Sequence, residues 1–348
     1  MTYHGYAAAH PGAALSPHSW EPEALGEREV EVAISHCGLC HSDLHLVDNS
    51  WRVSAYPLVP GHEVVGKVTR VGASVRVLRV GQRVGVGWQS DSCGHCEYCL
   101  RGEENLCPEL RATAIRRHGG LADHIAVDER FAHPIPEGLP SEAAAPLLCA
   151  GATVYAPLRR YASPSSRVGV LGVGGLGHLA LQFARAMGCE VTAFSTREEK
   201  AAEARAMGAH HFHTTASGPR RAKGALDLLL VTVHHDLDWR KWLNTLRPDG
   251  VLCFLGGPEQ PLNIPPGALI GGQRTITGSA ITGRAGMREM LAFASRNGIV
   301  PRTELMGMDQ INEAMERLRR GEVRYRVVLH TQRDELGELD LPTEDSPG

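Results

Sequence analysis

The chain has 348 residues, of which 43% are hydrophobic and 22% charged, and its formal net charge is −3. This length suits about two domains of roughly 150 residues, and so small a charge supplies no field to draw nucleic acid or an anionic membrane. The N-terminus MTYHGYAAAHPGAALSPHSW lacks a basic start followed by an apolar run, and no apolar stretch reaches the roughly 18–20 residues of a membrane span, so neither a signal peptide nor a membrane segment is expected. Nine cysteines, at 37, 40, 93, 96, 99, 107, 149, 189 and 253, include several at C-x2-C spacing. An odd number without a secretory signal predicts metal ligation in a reducing cytoplasm rather than disulfides.

In chain order, the first 145 residues read as β-rich. EVEVAIS (29–35) alternates apolar Val30, Val32 and Ile34 against Glu29, Glu31 and Ala33, which predicts a half-buried strand. EVVGKVTRVG (63–72) and QRVGVG (82–87) are Val-rich runs cut by glycines, as in a small barrel. The connector HPIPEGLP (133–140) marks a boundary, after which the period changes. RVGVLG (167–172), EVTAFS (190–195), ALDLLLVTV (225–233), GVLCFLG (250–256) and RTITGSA (274–280) read as strands. A helix over 176–188 stands between the first two, so the alternation predicts a parallel α/β sheet. Two amphipathic helices follow after 284, the second with Asp309 as N-cap, and YRVVLH (325–330) closes as a strand. These boundaries predict a catalytic domain of 1–149 and 285–330, with a cysteine lobe at 88–110, and a cofactor domain of 150–284. The tail 331–348 carries six acidic residues against one arginine and is expected to be disordered.

GVGGLG (172–177) satisfies G-x-G-x-x-G with Gly172, Gly174 and Gly177, following a strand and opening a helix, the context of a dinucleotide site. The first glycine permits the tight turn, the second lets backbone approach a pyrophosphate, and the third lets helix and strand pack closely. Gly175 and Leu176 complete the loop that presents the helix N-terminus to phosphates. The second strand then ends FSTREEK (194–200), where an NAD site would carry an acid. Ser195, Thr196, Arg197 and Lys200 instead offer hydroxyls and cations to a 2′-phosphate, which favours NADP over NAD. Glu198 and Glu199 weigh against that preference.

Cys93, Cys96, Cys99 and Cys107 offer four thiolates and no spare position, as in a closed structural zinc site. A nucleic-acid zinc ribbon is the rival reading, but the segment from Trp88 to Leu110 holds five acidic residues and one arginine, which would repel phosphates. An iron–sulfur cluster is a further alternative. A metal that works on substrate needs an open position, and Cys40, His62 and Cys149 supply a Cys2His set that leaves one.

Together CGLCHSDLH (37–45), PGHE (60–63), the four-cysteine lobe, APLLCAGATVY (145–155), GVGGLGHLALQFARAMG (172–188), EMLAFASRNGI (289–299) and QINEAMERLRRGEVRYRVV (310–328) carry a family likeness. They resemble the zinc-dependent medium-chain dehydrogenase/reductases, in the branch of cinnamyl alcohol dehydrogenase-like enzymes and bacterial aldehyde reductases, over residues 20–330. The resemblance implies a GroES-like β-barrel catalytic domain beside a Rossmann domain, and hydride transfer between NADP(H) and a primary alcohol or aldehyde, aromatic or aliphatic. It implies two zinc ions per chain: a catalytic one on Cys40, His62 and Cys149, with Glu63 as an exchangeable ligand, and a structural one on the lobe. Asp43 would orient His62, Ser42 and His45 would relay protons, and His41, Thr153 and Ser279 would meet the cofactor. Trp51 and Trp88 would wall the substrate pocket. A homodimer is the family expectation, with no nucleic-acid or membrane partner. The segment 108–125 is shorter than in many relatives. Alternatives kept open are an NAD-dependent enzyme of the same fold and a non-enzymatic interaction protein on this scaffold.

Overall fold

The computed structural model describes residues 1–258 and 260–331. The chain divides into two compact units, one formed by Met1–Cys149 with the chain from Arg302 onward, the other by Ala150–Pro301. The second boundary therefore falls at 302 rather than at 285. The helix Arg284–Arg296 belongs to the second unit because its Phe293 packs on Tyr155 and Phe183 while Glu289 accepts a 2.9 Å bond from the Tyr155 hydroxyl. Thr303–Gly307, in contrast, pairs in parallel with Arg326–His330 of the first unit. Beyond Thr331, the acidic tail lies outside the described residues.

The first unit is built around Glu29–Leu39, an eleven-residue strand paired with Val64–Val71, His124–Asp128 and Arg326–His330 in a seven-stranded sheet. Alternation predicts a half-buried strand here, but both faces are buried, Glu31 included at 1% exposure. The helix Ser141–Pro146 packs on this strand, and Glu31 is satisfied by the Tyr3 hydroxyl at 2.7 Å and the Thr69 hydroxyl at 2.9 Å. A buried acid with two hydroxyl donors costs little of what an unpaired one would. A pairing of Cys37 with Val64 sets the end of the long strand beside His62 and Glu63. The hairpin Tyr3–Ala7 and Ser16–Trp20 has no sharp apolar period and stands outside the sequence-predicted elements.

The second unit holds six parallel strands: β1 (Arg167–Leu171), β2 (Glu190–Ser195), β3 (His211–Thr214), β4 (Leu226–Val231), β5 (Leu246–Phe254) and β6 (Thr275–Gly278). Their spatial order is β3-β2-β1-β4-β5-β6, the doubly wound order whose ligand crevice opens at the carboxyl ends of the strands where the order reverses. Buried runs such as Leu228–Val231 read as unbroken apolar stretches because helices cover both faces of such a sheet. In the first unit, the helix Ile311–Arg319 begins after a 3-10 turn at Met308–Gln310. Asp309 lies inside that turn, and the Gln310 side chain accepts from the Gly307 N–H at 3.0 Å, so Asp309 is not the N-cap. No helix among the described residues is long and apolar enough to cross a membrane.

Candidate active site and metal centres

Two groups of ligand-type side chains converge in the first unit. In the first, Cys40, His62, Glu63 and Cys149 each bring one ligand atom within 4.8 Å of the others. Cys40 precedes the helix His41–Val47 in extended conformation. Its backbone N–H donates to Asp43 Oδ2 at 2.9 Å, a reach from the first helical turn back over the end of the helix. Asp43 Oδ1 accepts from the Gly61 N–H at 2.9 Å and from His62 Nδ1 at 3.0 Å. One buried carboxylate thus fixes both the Cys40 turn and the His62 ring.

His62 Nε2 is buried without a hydrogen-bond partner, as is Glu63 Oε2. Burial opposes ionisation of the His62 ring and the Asp43 carboxylate favours it, and the balance lies well above the ordinary histidine range. A cation on Nε2 answers the same pull that a proton would. The sulfurs of Cys40 and Cys149 are 3.9 Å apart. Their shared hydrogen bond holds the Cys40 thiol well below its usual range and pushes Cys149 well above it. Two thiols, an imidazole and a carboxylate with orphaned atoms are a donor set for zinc, and the residues fit that ion.

Glu63 is held from behind. Arg326 donates to Glu63 Oε1 and, at 2.8 Å, to the Leu39 carbonyl. Burial pushes the Glu63 carboxyl up to about 7, against the pull of Arg326. A Cβ on Gly38 would come within 2.1 Å of Glu63 Oε2, so only glycine leaves room for this carboxylate. Arg326 is the residue that the sequence did not reveal. Its one local signal is a charge inside the apolar run of YRVVLH.

Aromatic rings line this group. Trp88 stands edge-on to His62 with centroids 5.0 Å apart, Trp51 stands edge-on to Trp88 at 5.9 Å, and His45 stacks on Trp51 at 5.0 Å. Ser42 Oγ is 3.7 Å from Cys40 Sγ, and His41 lies 5.8 Å from His45 between ring centres.

The second group is Cys93, Cys96, Cys99 and Cys107, again within 4.8 Å. Cys93 Sγ lies 3.6 Å from Cys107 Sγ and 3.9 Å from Cys99 Sγ. Strands Gln89–Asp91 and Arg111–Ala112 pair at the base of the lobe. Arg130 clamps it by donating to Asp91 at 2.9 Å, Asp128 at 2.8 Å and the Ser92 carbonyl at 3.2 Å. None of the nine cysteines forms a disulfide.

In the second unit, Gly172 has φ +100°, a Cβ on Gly177 would lie 1.8 Å from the Gly172 carbonyl oxygen, and a Cβ on Gly174 would meet nothing within 4 Å. The turn and the close packing thus fall on the glycines at either end, and the middle one is left open. Past β2, Ser195 Oγ accepts from the Arg197 N–H at 3.2 Å and Arg197 forms a 3.7 Å ion pair with Glu199. Thr196 and Arg197 are exposed, whereas Lys200 is 6% exposed and its ammonium donates to the Val173 carbonyl. Lys200 therefore ties the end of β2 to the glycine loop and is not a solvated charge. Gly175 and Leu176 are half-buried in that loop, Thr153 is half-buried on the helix Ala152–Tyr161, and Ser279 follows β6.

Residues 26–137 match the family model of the alcohol dehydrogenase GroES-like domain, and residues 175–296 match that of the zinc-binding dehydrogenases. An aldehyde reductase of Synechocystis sp. is 42% identical over 327 residues, covering 93% of this chain and 97% of that protein. The chain belongs to the zinc-binding alcohol dehydrogenases. Among solved structures, a cinnamyl alcohol dehydrogenase of Sorghum bicolor superposes with a TM-score of 0.91 at 40% identity, covering 95% of this chain and 98% of that one. The CAD of Helicobacter pylori, described as a complex with NADP(H), gives 0.87 at 32% identity over 95% and 98% of the two chains. As an alcohol dehydrogenase of the medium-chain family, this chain combines a GroES-like domain with a Rossmann-type domain and acts on alcohols or aldehydes.

Proposed function

We propose that this chain is a zinc-dependent, NADP(H)-preferring alcohol dehydrogenase and aldehyde reductase acting on primary alcohols and their aldehydes, aromatic and aliphatic. The observation that carries the reading is the convergence of Cys40, His62, Glu63 and Cys149 with His62 Nε2 buried and unpartnered. Cys40, His62 and Cys149 hold one zinc, Glu63 is its exchangeable fourth partner, and the lobe cysteines hold a second. Zinc bound to the first set supplies a Lewis acid for the alcohol or carbonyl oxygen, and NADP(H) supplies the hydride carrier.

The chain's own residues do the rest. Asp43 keeps the proton of His62 on Nδ1 and so directs Nε2 toward the metal position. Ser42, beside Cys40, takes the hydroxyl proton in oxidation, and His45, one turn along the same helix, discharges it to solvent. Trp51 and Trp88 flank the substrate and exclude water from it. Gly172, Gly174, Gly175, Leu176 and Gly177 cradle the pyrophosphate of the cofactor. Ser195, Thr196 and Arg197 accommodate its 2′-phosphate, Lys200 holds the loop beside them through the Val173 carbonyl, and His41, Thr153 and Ser279 contact the remainder. The expected assembly is a cytoplasmic homodimer. The Arg197–Glu199 pair favours a second reading, use of NAD(H), because it partly neutralises the cation that would meet a 2′-phosphate.

A panel of aromatic and aliphatic aldehydes assayed with NADPH and NADH, alongside zinc content, tests the proposal. About two zinc per chain is expected, with Cys40→Ser and His62→Ala each losing one of them and nearly all turnover. Wild-type activity in either variant would refute the ligand assignment. Ser195→Asp is expected to shift the preference toward NADH, and an unchanged ratio would favour the second reading.

A further inference from the structure

The lobe carries a third convergence, in addition to the two sets above. One ligand atom each of Cys93, His95 and Glu109 lie within 4.8 Å of one another. We propose that these three side chains form an outer, solvent-facing zinc site that shares Cys93 with the four-cysteine set, and that the lobe exchanges its ion with solution through it. The proposal rests on reading the four-cysteine set as a zinc site.

Accessibility grades across the lobe. His95 and Glu109 are exposed and Cys93 and Cys96 are half-buried, whereas Cys99 and Cys107 are only 5% and 6% exposed. An ion arriving from solvent meets His95, Glu109 and Cys93 before it reaches the buried pair. Spacing brings them together: His95 follows Cys93 by two residues, Glu109 follows Cys107 by two, and the two sulfurs are 3.6 Å apart. Gly94, at φ +77°, makes the turn between Cys93 and His95. His95 Nδ1 is 3.0 Å from the Cys93 carbonyl oxygen. A carbonyl only accepts, so Nδ1 is the donor of that bond and Nε2 is the nitrogen left for a metal.

The donors are a thiolate, an imidazole and a carboxylate, a borderline set suited to zinc, cobalt or cadmium that leaves a coordination position to water. Four thiolates around a divalent ion leave a net negative charge, which attracts a second cation. A thiolate sulfur retains lone pairs and can bridge two ions. In exchange by this path each zinc–sulfur bond breaks as its replacement forms, and no proton or electron is gained or lost. Release of the lobe ion without it requires several thiolates to open at once.

The test follows zinc exchange in the full-length, metal-loaded protein. In a Cys149→Ser background, which removes the other ligand set, incorporation of zinc-67 reports the lobe alone and is read by mass spectrometry. His95→Ala and Glu109→Gln are each expected to slow exchange about ten-fold, the order that loss of a metal's partner produces, with zinc content and thermal midpoint unchanged. Exchange at the parent rate in both variants overturns the proposal. Loss of the lobe zinc in either variant overturns it too, because those residues would then be needed to hold the resident ion. A parent protein isolated without zinc in the lobe refutes the four-cysteine reading itself, and is told apart from the other outcomes by metal analysis before exchange begins.

Discussion

Glu63 and Arg326 meet in the buried interior of the first unit, 263 residues apart in the chain. Taking two charges out of water is costly, and their attraction offsets that cost only while both are present. Arg326 therefore positions Glu63: Oε1 is held by the guanidinium, and Oε2 is left buried without a hydrogen-bond partner. Arg326→Met is expected to lower stability by about 3–5 kcal/mol, because it strands the carboxylate. Glu63→Gln added to it should recover most of that loss, since a neutral amide tolerates burial far better. Denaturant melts of the two single variants and the double variant measure the coupling, and additive losses would exclude this pairing as an energetic unit. Asp43 and His62 were legible in the sequence because they stand within a compact signature, CGLCHSDLH and PGHE. Arg326 was not, because nothing local identifies a partner so distant along the chain.

At the scale of an element, the strand–turn–helix at Gly172–Gly177 shows how three identical residues do different work. Gly177 packs against the Gly172 carbonyl, so Gly177→Ala must push helix and strand apart and is expected to lower the thermal midpoint. Gly174 faces open space, and Gly174→Ala should fold as stably as the parent. The added methyl would then stand where backbone approaches a phosphate, and fluorescence titration with NADPH should show at least ten-fold weaker binding, about 1.4 kcal/mol. Equal binding by Gly174→Ala would remove the loop from the cofactor site. This element could be read in the sequence because its own geometry demands glycine at 172 and 177, and the approach of a phosphate would demand it at 174. β3 could not: HFHT has neither an apolar run nor a clean alternation, and it becomes a strand only by pairing with β2. The helix Arg284–Arg296 was recognised by its period, but its unit was not, since amphipathic spacing says that a face is buried and not against what.

Over the whole molecule, the proposed function assigns stability to one ligand set and chemistry to the other. The four-cysteine set closes a lobe held at its base by a short strand pair, by the Ser90 hydroxyl on the Arg111 carbonyl and by Arg130, polar ties that an ion would reinforce. The other set sits at the end of a long, fully paired strand and under buried apolar side chains, which persist whether or not an ion is bound. Cys96→Ser should consequently lose zinc and lower the thermal midpoint, because metal binding supplies folding free energy where the scaffold cannot. A loss of a few kcal/mol corresponds to roughly 5–10 °C in a protein of this size. Cys149→Ser should lose its zinc and its turnover but melt within about 2 °C of the parent, since a small polar side chain replaces a half-buried thiol in an otherwise paired structure. Calorimetry and metal analysis of both variants decide the matter. If Cys149→Ser melts as low as Cys96→Ser, the first set also holds the fold together, and its open coordination would have to be reconciled with a structural duty.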